Sequence, residues 1–186
     1  MANKDAAFGL KPIGKVGQNN DTGGLSEYNI AASADAIYFN DPVEMASTGT
    51  ITVAAATDVL LGSLGGVFFT DATSSKPTYA NHLDASNTAT DIVGFVSDDP
   101  YQRFEIQSAG TPAQTNIGNC AEIVFAAGSS TNYVSGVDIS GTMAAGTAQL
   151  KIIGVSRDPD NNELGSANTN LIVTINEHFL KQTAGI

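Results

Sequence analysis

Nearly every apolar run in this chain is short, alternates with polar residues, and stops at a cluster of Gly, Pro, Asn, Asp or Ser. Alternation puts successive side chains on opposite faces of a strand. An amphipathic helix needs apolar residues at three- and four-residue spacing instead. The runs are "SEYNIA", "AIYFN", "PVEMAS", "TITVAA", "GVFFTD", "DIVGFVS", "QRFEIQ", "AEIVFAAG", "QLKIIGVS" and "NLIVTINEHF". Between them "NDP", "TGT", "TSSKP", "SDDP", "GTPAQ", "GSSTN" and "RDPDNNELGSANTN" supply turn chemistry, through positive or fixed φ and self-bonding side chains. About ten strands spaced roughly 8–15 residues apart predict an all-β fold, a compact antiparallel β-barrel or sandwich. No ten-residue helical stripe is present, and "HLDASNTA" has room for one short helical turn at most.

Within this pattern "DDPYQRFEIQSAG" sets Phe104, Ile106 and Gln102 on one face and Tyr101, Arg103, Glu105 and Gln107 on the other. "DIVGFVS" and "NLIVTINE" are apolar on both faces, so they are expected to be central or covered strands. Gly94 inside the first predicts a bulge or a close approach.

The opening, "MANKDAAFGLKPIGKVGQNNDTGG", breaks the pattern. Gly9, Pro12, Gly14 and Gly17 oppose a helix, since glycine costs about 1 and proline about 3 kcal/mol in a helix interior. Its longest apolar run is too short for a secretory signal. Yet Phe8, Leu10, Pro12, Ile13 and Val16 recur along it. Residues 1–24 therefore read as an extended N-terminal arm, which fits neither helix nor strand and has apolar anchors for something else. Residues 25–186 read as the β body.

At 186 residues with 42% apolar content, the chain can bury one real core. Nineteen acidic against eight basic side chains leave a net charge of −11. Phosphate backbones and anionic lipids repel such a surface, so neither nucleic acid nor membrane is expected as a partner. Only 15% of residues are charged, a composition that suits flat β surfaces and protein–protein contact.

Chemistry-bearing candidates are few. Cys120 is the one cysteine, and it reads as a buried structural thiol. The two histidines, His82 and His178, read as surface or packing residues, because no convergent catalytic set is visible. "DPDNNE", Asp158 to Glu163, holds several oxygen ligands but lacks the glycine, the distal Glu and the helices of a calcium loop. It reads as a solvated turn. A sugar site would want clustered exposed aromatics; there is no Trp, and the five tyrosines are scattered along the sequence. No cofactor, metal or catalytic residue is assigned.

Taken together, "MANKDAAFGLKPIG", "NDPVEMASTGTITVAAATDVLLGSLGGVFFTD", "SKPTYANH", "DIVGFVSDDPYQRFEIQ", "GNCAEIV" and "LKIIGVSRDPDNNELGSANTNLIVTINEHF" resemble the capsid decoration, or cement, proteins of tailed bacteriophages of aquatic bacteria. The resemblance spans nearly the whole chain. It implies a non-enzymatic, all-β accessory protein on the outer surface of the virion, bound to an HK97-type major capsid protein. It also implies a homo-oligomer, often a trimer, at junctions between capsomers. On that reading the arm reaches a neighbouring subunit, with Phe8, Leu10, Pro12 and Ile13 as contact residues. Other readings are a tail or fibre subunit, a glycan-binding β module, and a small hydrolase using His82 or His178.

Overall fold

The structure, a computed structural model, describes residues 3–17 and 24–181. It is all-β and sandwich-like: two antiparallel sheets that do not close into a barrel. One sheet contains β1 (Lys11–Lys15), β8 (Gln102–Gln107), β13 (Asn170–Ile175), β12 (Leu150–Val155) and β9 (Cys120–Ala121), in that spatial order. The other runs β2 (Ser26–Asn29), β7 (Val93–Ser97), β5 (Leu60–Thr70), β3 (Pro42–Met45), β4 (Ile51–Val53), with β6 (Pro77–Ala80) also paired to β5. A small ribbon joins β10 (Ile123–Val124) to β11 (Asp138–Ile139). The described helices are two single 3-10 turns, Gln114–Asn116 and Phe179–Lys181. No helix among the described residues is long and apolar enough to cross a membrane.

Each sheet buries its own apolar cluster, and alternation explains how. Phe104, Ile106, Leu150, Ile152, Leu171, Val173 and Ile175 fill the first; Val43, Ile51, Leu64, Val67 and Val96 fill the second. At the start of β5, Leu60 joins the first cluster and its neighbour Leu61 the second. One strand thus serves both cores, because successive side chains point opposite ways. β13, apolar on both faces, is the centre of its sheet, as two-sided apolarity requires.

Several local expectations change. "AIYFN" makes only isolated bridges, Ile37 to Leu83 and Phe39 to Val134. "AEIVFAAG" splits into β9 and β10, whereas "HLDASNTA", with a turn at residues 85–86 and no helix, stays within what the sequence allowed. β5 starts at Leu60, earlier than its alternation suggests, because "LLGSLG" is buried on both faces and so has no period. Gly94 makes a close approach: a Cβ there would stand 2.9 Å from Ile51 Cδ1. The bulge lies on β5 between Leu64 and Gly66, opposite Val96 and Phe95, while Gly94 itself pairs with Val67.

Candidate docking surface

The first described residues, from Asn3 on, lie on the chain's own body. Asn3 Nδ2 donates to the Glu163 and Ala167 carbonyls at 3.2 and 2.9 Å. Lys4 N–H donates to Asn161 Oδ1 at 3.1 Å, and Asn161 Nδ2 donates back to the Lys4 carbonyl at 2.7 Å. Gln107 holds the next residues the same way, accepting from Ala6 N–H and donating to the Lys4 carbonyl. A primary amide offers an acceptor beside donors, so it can stand in for the next strand's backbone.

Gly9 then turns with φ +71°, and a Cβ there would come within 2.3 Å of the Asn40 carbonyl oxygen. Only glycine permits that approach. It delivers Leu10 N–H to the Asn40 carbonyl and the Leu10 side chain, 0% exposed, into the first core. β1 continues along β8 with Lys11 opposite Glu105 and Lys15 opposite Gln102.

These contacts correct the expected arm over residues 3–17. That segment is not free to strap a neighbour in this fold: it contains a strand, and Leu10 is a core residue unavailable to a partner. Phe8, Pro12 and Ile13 are half-buried against the same body. The physical reason is the edge of β8, whose backbone would otherwise go unpaired and whose Glu105 and Gln107 would lose partners. It also explains why both faces of β8 are buried except at half-buried Arg103. The boundary drawn at residue 24 therefore does not separate a strap from a body, and the remainder of the expected arm, residues 1–2 and 18–23, lies outside the described residues.

The Asp158–Glu163 turn serves the same docking. Asp158 Oδ1 accepts Asp160 N–H and its Oδ2 accepts Asn170 Nδ2–H, while Asp160 pairs with Lys4. The segment is the largely exposed turn between two strands that the sequence predicts, and in addition its Asp160 and Asn161 hold Lys4. Among the described residues no group of three or more His, Cys, Asp or Glu side chains could hold a metal ion.

His178 is fully buried, and its Nδ1 accepts the Leu180 N–H at 3.1 Å. Burial, reinforced by the Lys181 charge, lowers its pKa to about 4 despite Asp98 and Asp99 nearby. A neutral, enclosed imidazole fits a packing role. His82 is half-buried and stacks on Tyr133 at 3.6 Å between centroids. Cys120 is half-buried on β9, not buried as expected.

The feature that sequence reading missed is the outer face of the second sheet. Phe68 stands opposite Tyr79 on one side and Val93 on the other. Tyr79, 64% exposed, lies over Gly66 and meets the Phe95 ring at 5.7 Å. Exposed Leu25 lies over Gly65, with both its methyl carbons 3.2 Å from where a Cβ would stand. Leu25, Phe68, Tyr79 and Phe95 thus share a glycine-floored apolar face, edged by exposed Glu27 opposite Phe95. The alternation in "VGFVS" and "PTYA" carried the signal, but which strands lie adjacent is not written in either.

Set against models of known families, curated proteins and solved structures, the chain matches none.

Proposed function

We propose that this is a structural virion protein that decorates and stabilises the outer surface of a phage icosahedral capsid by bridging neighbouring major capsid proteins. The observation carrying this reading is the Leu25–Phe68–Tyr79–Phe95 face. A sheet face that leaves aromatic side chains uncovered is suited to another protein surface. The resemblance read from the sequence supports the identity of that surface, an HK97-type shell. A net charge of −11 fits the outside of a DNA-filled particle, where contact with nucleic acid is not wanted.

The mechanism is mass action, not bond chemistry. A block that binds the assembled shell but not its separated subunits stabilises the assembled state. If three copies act together, avidity exceeds single-site affinity by about 10²–10⁴ where geometry lets all engage. The docked N-terminal segment moves the expected contact from a flexible strap to this preformed face. A preformed face binds with little ordering cost.

Mixing purified protein with expanded shells, followed by cryo-EM, tests the reading. Added density at one lattice position is expected, and it should disappear for the Leu25→Ser/Tyr79→Ser variant. Bare shells at micromolar protein would refute the role. Undiminished binding by the variant would refute this face as the contact.

A further inference from the structure

A separate cavity of about 340 Å³ opens where the connection before β3, the end of β4 and the segment after β10 meet. It is of a size that takes a small organic ligand. Its described lining includes two carboxylates, Asp35 and Asp41, and two aromatic residues, Tyr38 and Phe125, with Val53 and Gly128. No Lys, Arg or His is among them.

Asp35 and Phe125 are exposed, while Asp41 is 2% exposed and forms the inner wall. Asp41 Oδ2 accepts the Tyr38 N–H at 2.7 Å. Its Oδ1 is buried with no hydrogen-bond partner among the described residues. The nearby Ser135 hydroxyl offsets only part of the burial cost, which raises the carboxyl's pKa. A buried carboxylate left short of donors is costly until a donor or a positive charge arrives.

Tyr38 is fixed for its part by Gly128, where a Cβ would fall 2.4 Å from the Tyr38 ring. The cavity therefore pairs an aromatic wall with two carboxylates that no cationic side chain of its lining offsets. An anion is repelled by both carboxylates, and an apolar molecule leaves Asp41 short of a donor. A divalent metal wants six or more oxygens, and only two acidic side chains are here.

We propose that this cavity binds an organic cation, an alkylammonium or guanidinium. Its apolar stem lies against Tyr38 and Phe125, and its charged head faces Asp35 and Asp41. Aromatic faces and carboxylates together recognise such groups through cation–π attraction and charge-assisted hydrogen bonds. This site is independent of the capsid reading and of the sheet face that carries it.

Titration of the full chain, followed by calorimetry and NMR, decides the matter. The probes are n-butylammonium and agmatine, with n-butanol, butyrate, methyl glucoside and calcium alone for comparison. Saturable binding of both cations is expected, with n-butanol weaker by about tenfold or more. Asp35→Asn and Phe125→Ala change exposed side chains, and each should weaken cation binding at least about threefold with an unchanged melting curve. The proposal is overturned if n-butanol or the glucoside binds as well as the amines. It also fails if calcium binds more tightly than they do, or if both variants bind unchanged.

Discussion

Leu10→Ala is the sharpest test of where the chain's start belongs. Leu10 is 0% exposed and packed within the first core, so the substitution removes three buried carbons. At about 0.8 kcal/mol per buried methylene, transfer alone costs about 2.4 kcal/mol. The cavity left behind brings the expected loss to about 3–5 kcal/mol, because Gly9 and the β1–β8 ladder hold the backbone in place on both sides. With a urea m-value of about 2 kcal/mol/M, the unfolding midpoint should fall by about 1.5–2.5 M with m unchanged. Val16→Ala, at a side chain 53% exposed, is the control and should stay within about 0.5 kcal/mol. The measurement is equilibrium urea unfolding by circular dichroism across a hundredfold range of protein concentration. A loss below about 0.5 kcal/mol for Leu10→Ala would refute burial of this segment. A loss that depends on concentration would place the segment on another copy, and would restore the strap that the sequence suggested.

Two further predictions concern pH. His178 has a folded pKa of about 4 against an ordinary 6.5, so between these values the unfolded chain binds the proton that the folded chain refuses. Its contribution is complete above pH 6.5 and lost as pH falls to about 4, by about 3 kcal/mol at the 1.36 kcal/mol per unit of linkage; His178→Asn should flatten that loss in urea melts at pH 4.5 and 7, and an equal acid loss in the variant would refute it. Asp138 has the opposite sign: burial, with the Asp5 charge second, raises it from 3.8 to about 6, so its contribution is full below pH 3.8 and lost as pH rises through 6. Asp138→Asn should therefore raise stability at pH 8 by on the order of 1–2 kcal/mol relative to wild type, and by less at pH 4, in paired thermal melts.

The fold class was legible because its signal is local. In "QRFEIQ" and "NLIVTINE" the apolar positions and flanking turn residues lie within ten positions of each other, and a strand's faces are fixed by period two. What failed was of two kinds. "LLGSLG" and "KPIGK" form strands without a clean period, the first because both faces are buried, the second because glycine and a bulge interrupt it. "AIYFN" has the period but finds only isolated bridges.

The candidate sites were less legible. Tyr38 and Tyr133 read as scattered along the sequence, yet three connections bring Tyr38, His82 and Tyr133 within 6.3 Å between ring centroids. Asp41 looked like one half of a turn signal in "NDP", and only folding makes it a buried carboxylate.

The sequence alone determined that the chain forms strands and not helices, and where many of the turns between them fall. Tertiary structure alone decided that Lys11 pairs with Glu105, that Leu10 is core, and that Asn161 and Gln107 receive Lys4 and Ala6. Pairing joins residues more than ninety positions apart, and the choice among open edges depends on which one the rest of the chain leaves unpaired. No local periodicity contains that information.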